Sequence, residues 1–91
     1  GFTPLIFACL KGHETIAKLL IENGSKLNEE NIFGLTPLIC TCRNGYENIT
    51  KLLIKNGVDL NKENKSCKTP LLSAIDNGNE NIVKLLIENG A

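Results

Sequence analysis

Apolar residues recur along this chain with a helical spacing, and the same pattern occurs three times. The three segments are Ile16–Ile21, Ile49–Ile54 and Ile82–Ile87. In the first segment, Ile16, Leu19 and Leu20 fall at positions i, i+3 and i+4, which share one face of an α-helix. The pattern predicts one amphipathic helix in each copy, the first running from about Glu14 to Asn23 with these three side chains on its apolar face.

A second motif keeps the same 33-residue phase and predicts a short helix before each amphipathic one. Thr3-Pro4-Leu5 returns as Thr36-Pro37-Leu38 and as Thr69-Pro70-Leu71. A Thr side chain accepts hydrogen bonds from the free amides at a helix start, and Pro suits the first helical position. A Gly follows eight residues after each Pro, at Gly12, Gly45 and Gly78, and permits the backbone conformation that ends a helix.

The chain is therefore a helix pair repeated three times. The segments between pairs, 25–35 and 58–68, are polar and lack helical periodicity, which predicts hairpin-like connectors. A pair of about 20 residues cannot bury both apolar faces alone, so neighbouring pairs must share a continuous core. The expected fold class is all-α, an elongated solenoid of stacked helix pairs without a central cavity.

Charge and composition exclude several functions. Ten Lys and Arg balance ten Asp and Glu, so no broad positive field attracts nucleic acid or an anionic membrane. The apolar runs are far shorter than the roughly 20 residues that span a bilayer. No phosphate-binding loop, nucleophile motif or dinucleotide fingerprint occurs. Glu14, Glu47 and Glu80 recur where carboxylates compensate a helix dipole, so we expect no enzyme activity, cofactor or small-molecule substrate.

The cysteines could form disulfides or hold a metal, but a simpler interpretation is favoured. They are Cys9, Cys40, Cys42 and Cys67. Their uneven spacing and apolar neighbours favour reduced, packed thiols. Cys40 and Cys42 would lie about 200° apart on a helix, and His13, the only histidine, occupies a predicted turn. We therefore expect no metal site.

The chain resembles the ankyrin repeat family. The residues that carry the resemblance are Thr-Pro-Leu at a helix start, a Gly eight residues after the Pro, a Leu-Leu pair, and a second Gly twelve residues after the first. The resemblance implies one domain, residues 1–91, with repeats at approximately 1–33, 34–66 and 67–91, and we expect it to be an excerpt of a longer array. Members usually carry His after Thr-Pro-Leu to link repeats. Here Ile6, Ile39 and Leu72 occupy that position, so this polar link is missing. Cys67 replaces the Gly of the other copies, which predicts a strained or altered turn.

The resemblance also implies a protein or peptide partner, bound on a concave face made of hairpin tips and first helices. Carried over by position, the candidate contact residues are Phe2, Leu10, Lys11, Ile32, Phe33, Leu35, Arg43, Asn44, Lys65, Ser66, Lys68, Asp76 and Asn77. Ile32, Phe33 and Leu35 are unusually apolar for a tip, which predicts a binding hot spot. Alternatively, Phe33 packs against a neighbouring hairpin or Phe2. Arg43 is either a charged contact or a solvated residue at a helix end.

A different function also remains open, in which the chain is a structural spacer that positions another domain of a larger protein. In either case we expect an intracellular protein, in the cytoplasm. We also expect Leu5, Ile16, Leu85 and Leu86 to lie near the ends of the stack, where further repeats or a partner would cover them.

Overall fold

A computed structural model describes residues 3–91, and six α-helices account for most of that part of the chain. The helices are α1 Pro4–Lys11, α2 Glu14–Glu22, α3 Pro37–Asn44, α4 Glu47–Lys55, α5 Pro70–Asn77 and α6 Glu80–Glu88. Residues 3–91 contain no β-strand, which confirms the all-α class. None of these helices is long and apolar enough to cross a bilayer.

Local signals set the helix ends. Thr3 Oγ1 accepts a hydrogen bond from the Ile6 amide at 3.1 Å, and Thr36 and Thr69 cap α3 and α5 in the same way. Gly12 ends α1 with φ +75°, as its counterparts do in α3 and α5. The second helix of the first pair ends at Glu22, one residue earlier than predicted, because Asn23 caps it and its Nδ2 donates to the Leu19 carbonyl.

The helices form two layers. In one layer α3 packs against both α1 and α5, and in the other α4 packs against α2 and α6, while the two helices of each pair also contact each other. Stacking of neighbouring pairs is thus confirmed. The described chain measures 29 × 25 × 20 Å, so the expectation of an elongated shape is wrong. Helices pack about 8–10 Å apart, and three repeats stacked at that spacing are only about as long as one repeat is wide.

The predicted apolar face of the second helix is buried only where a preceding repeat covers it. In the first repeat Ile16 and Leu19 are 50% and 54% exposed, and Ala17 and Ile21 are buried instead. In the second repeat Ile49, the counterpart of Ile16, is buried. The difference arises because α1 and α2 have no described repeat on that side.

The end faces of the stack differ from those expected. Leu5 and Leu86 are buried and Leu85 is half-buried; of the four residues expected at the ends, only Ile16 is exposed. One end face is made of Phe7, Ile16 and Leu19, and the other of Leu72, Ile75 and Ile87, all about half exposed. Their counterparts in the middle repeat are buried or half-buried, so burial depends on the neighbouring repeat.

The cysteines are free thiols, and three of them are packed as predicted. Cys9, Cys40 and Cys42 have no exposed surface, whereas Cys67 is exposed and the prediction is wrong for it. Burial raises the pKa of Cys9 to about 12, of Cys40 to about 11 and of Cys42 to about 12. These three thiols are therefore protonated and unreactive at neutral pH.

Candidate functional site

Two hairpin tips of similar construction project from the helical layers. In the first tip, the Asn31 amide donates to the Leu35 carbonyl at 2.9 Å, and Asn31 Oδ1 accepts from the amides of Phe33 and Leu35. In the second, Asn64 makes the equivalent bonds to Ser66 and Lys68. The hairpin-like connectors are thus confirmed, and their geometry is fixed by backbone and Asn side-chain hydrogen bonds.

The two tips are also bonded to each other. Asn64 Nδ2 donates to the Gly34 carbonyl at 2.8 Å, and the Lys65 amide donates to Glu30 Oε2 at 2.9 Å. Lower on the hairpins, the Asp59 amide donates to Asn28 Oδ1 at 2.7 Å. The His-based link expected from the family is absent, but these bonds between adjacent hairpins supply polar links of another kind.

The second tip contains a strained turn at Cys67, whereas an altered turn, the other outcome predicted from the sequence, is not found. Cys67 adopts φ +62° and is the only non-glycine residue with positive φ among residues 3–91, while its counterpart Gly34 has φ +76°. An L-residue with a side chain is strained in this conformation. The turn is therefore the same in both tips, and the second one forms at an energetic cost.

The first tip exposes two large apolar side chains. Ile32 is 71% exposed and Phe33 is 65% exposed. Leu35 is only 7% exposed, so its assignment to the contact surface is wrong. Leu35 precedes the cap of α3, where the chain has already turned into the helical layers, and its side chain belongs to the core.

The ends of the first helices lie beside the tips. Lys68 of the second hairpin forms an ion pair with Asp76 at the end of α5, which joins hairpin and helix end into one surface. Arg43 and Asn44 are exposed at the end of α3, and Lys11 is exposed at the end of α1. By the repeat, the end of α3 occupies the same place relative to its hairpin as the end of α5 does, and the end of α1 is the equivalent position in the first repeat.

We call this combined surface the inner surface. Its residues are Lys11, Ile32, Phe33, Arg43, Asn44, Lys65, Ser66, Lys68, Asp76 and Asn77, all of them exposed. Of the other candidates, Leu10 is half-buried and Leu35 is buried, and Phe2 lies outside the described residues. Ten of the thirteen predicted contact residues are thus exposed, and the Lys68–Asp76 ion pair joins the second hairpin to the end of α5.

Sequence reasoning missed two residues beside this surface. Glu30 reaches across to the backbone of Lys65, and Tyr46 lies against Gly12, with its hydroxyl 3.5 Å from the Leu10 carbonyl. Glu30 has an acidic counterpart, Glu63, and that repetition was a usable signal. Tyr46 offered no such sequence signal, because His13 and Asn79 occupy its position in the other repeats.

Features suggestive of catalysis or metal binding are dispersed. His13 is exposed before α2 and makes no side-chain capping bond there. Cys40 and Cys42 are buried, and Cys42 interacts with the hydroxyls of Thr41 and Thr50. Within residues 3–91, no three His, Cys, Asp or Glu side chains cluster as metal ligands would.

Comparison with known protein families places the whole set of repeats in one family. A family model for ankyrin repeats matches residues 5–91 in three copies. No individual curated protein matches the chain. The family match covers nearly all of the described residues and includes both hairpins and all three first helices.

Proposed function

The chain belongs to the ankyrin repeat family, and we propose that it binds a partner protein or peptide on its inner surface without catalysing a reaction. Members of this family are generally protein-interaction modules and are typically non-catalytic. The proposal assigns recognition to the tips and the helix ends because these are the exposed positions that vary between repeats.

The observation that carries this proposal is the pair Ile32 and Phe33. Both side chains are mostly exposed, although the tip that holds them is fixed by the bonds of Asn31. An apolar pair on a rigid support loses little conformational entropy when a partner covers it. Aromatic and Arg side chains contribute disproportionately to binding energy, and Arg43 lies on the same surface.

The test is a comparison of partner recovery from cells by three versions of the protein. We expect the double variant Phe33→Ala/Arg43→Ala to lose the proteins that the wild type recovers, with unchanged helical circular dichroism, because both side chains are exposed. Ile87→Ala is the matched control, since Ile87 is 56% exposed but lies on an end face. It should recover the same proteins as the wild type.

A structural spacer is the second candidate function. The end faces support it, because Phe7, Ile16 and Leu19 at one end and Ile75 and Ile87 at the other leave apolar surface for further repeats or a neighbouring protein to cover. The same experiment separates the two functions. Recovery that survives Phe33→Ala/Arg43→Ala but is lost with Ile87→Ala would favour the spacer and contradict recognition by the inner surface.

We also propose an intracellular location, supported by three buried thiols that form no disulfide. Microscopy of a fluorescent fusion of the protein tests this, and a signal confined to the secretory pathway would contradict it.

A further inference from the structure

The basic side chains of the inner surface differ in how they are paired. Lys68 is paired with Asp76. Lys11, Arg43 and Lys65 have no carboxylate within 4.0 Å among residues 3–91, where the other ion pair joins Lys26 and Glu29. The Lys11 ammonium lies 5.6 Å from the centre of the Phe7 ring, which leaves its charge unneutralised. The Lys68–Asp76 pair neutralises the charge that the third repeat contributes to the surface, whereas the charges of Lys11, Arg43 and Lys65 are not neutralised by an ion pair.

The acidic side chains near the tips leave this charge in place. The Glu30 carboxylate accepts a hydrogen bond from the backbone amide of Lys65, so one of its two oxygens is already engaged. Its counterpart Glu63 is exposed on the second hairpin and forms no ion pair with Lys11, Arg43 or Lys65. Positive charge therefore remains available at the ends of α1 and α3.

Lys11 and Arg43 lie at adjacent helix ends. Asn44 Nδ2, next to Arg43, approaches the carbonyl of Leu10, next to Lys11, at 3.5 Å. The two cations thus flank one contact between α1 and α3. A carboxylate placed there lies beside Arg43, whose planar guanidinium can hold it by two parallel hydrogen bonds. Lys11 reaches the same carboxylate by rotating away from the Phe7 ring.

The apolar pair lies on the same part of the stack. Ile32 and Phe33 belong to the hairpin that leads from the first repeat into α3, the helix that ends in Arg43. A ligand that spans this region meets an apolar pair at the tip and cations at the helix ends. Nucleic acid fits poorly, because three cations on a chain with no net charge give little of the phosphate neutralisation on which such binding depends.

We infer that the partner presents an acidic peptide segment with a large apolar side chain. The apolar side chain packs on Ile32 and Phe33, and one or more carboxylates meet Lys11 and Arg43. This inference rests on the proposed function and specifies the chemistry of the partner at the same surface.

The experiment selects binders from a displayed library of random short peptides on the immobilised chain. Peptides enriched in Asp or Glu together with Leu or an aromatic residue are expected. The most enriched peptide is then synthesised in two forms, as selected and with each Asp and Glu replaced by Asn and Gln, and binding is measured by fluorescence anisotropy at low and high salt.

Charge variants identify the contacts. Lys11→Ala/Arg43→Ala should weaken binding of the acidic peptide about tenfold, and high salt should weaken it similarly. Lys18→Ala/Lys51→Ala is the matched control, because both lysines are exposed on second helices away from the inner surface. It should change the dissociation constant less than about twofold.

The outcomes separate this inference from the proposed function. Enrichment of peptides without acidic residues, or of acidic peptides whose binding is insensitive to Lys11→Ala/Arg43→Ala, would overturn the inference. If Phe33→Ala abolishes the binding of those same peptides, recognition on the inner surface is still supported. If no enriched peptide depends on Phe33, Arg43 or Lys11, both the inference and recognition by this surface are overturned.

Discussion

Alkaline pH should destabilise this fold through its buried thiols. The pKa of Cys9, Cys40 and Cys42 rises from 9.0 to about 12, about 11 and about 12, mainly because burial disfavours the thiolate. Below pH 9 the thiols are protonated in both folded and unfolded chains and contribute no pH dependence. Between pH 9 and about 11 the unfolded chain ionises while the folded chain does not, so stability falls as pH rises.

The size of the effect follows from these shifts. Each thiol contributes a loss of about 1.4 kcal/mol for each pH unit above 9. Raising the pH from 8 to 10 should therefore lower the free energy of unfolding by about 4 kcal/mol through the three thiols together. Domains have total stabilities of about 5–15 kcal/mol, so the loss is large enough to measure.

The assay is urea unfolding followed by circular dichroism at pH 8 and pH 10 with a reductant present. Each single variant, Cys9→Ala, Cys40→Ala or Cys42→Ala, should lose about 1.4 kcal/mol less than the wild type between the two pH values. Cys67→Ala is the control, because that thiol is exposed, and its loss should equal the wild-type loss. Ionisation of Lys and Tyr is common to all variants and cancels. Equal losses in all five proteins would refute the reasoning.

Two further predictions concern the backbone. Gly12→Ala should destabilise the fold by about 1–3 kcal/mol more than Gly78→Ala. Both positions have positive φ, but only at Gly12 would the added Cβ meet a ring, that of Tyr46, at 2.8 Å. Equal urea midpoints for the two variants would show that Tyr46 moves aside without cost. Cys67→Gly should stabilise the fold by about 1 kcal/mol by relieving positive φ, whereas Cys67→Ala should not; an unchanged midpoint for Cys67→Gly would mean that the turn carries no strain.

The fold could be predicted from sequence because its determinants are local. Thr3, Pro4 and Gly12 act within one helix, and each acts through a contact between residues only a few positions apart. Their recurrence at a fixed interval predicted the helix pairs and the hairpins between them. The exposure of Ile32 and Phe33 at the tip could be predicted in the same way, since the position in the repeat defines the exposed turn.

The burial of individual side chains could not be predicted so well, because it depends on neighbouring repeats. Ile16 and Ile49 occupy the same position in their repeats, yet one is 50% exposed and the other 2%. Leu35 was assigned to the contact surface by its register position, but its side chain points into the core. The contact of Glu30 with Lys65 joins residues 35 positions apart, so the repetition of Glu30 as Glu63 marks the position but does not reveal the bond.

The position of α3 between α1 and α5 has a consequence for how the molecule opens. An outer repeat has one neighbouring repeat among the described residues and keeps apolar side chains in water, so it can fray while the other two repeats stay folded. The middle repeat has neighbours on both sides and should exchange its amide hydrogens last. Arg43 lies in that repeat, so the most persistent part of the stack also carries part of the surface proposed for recognition.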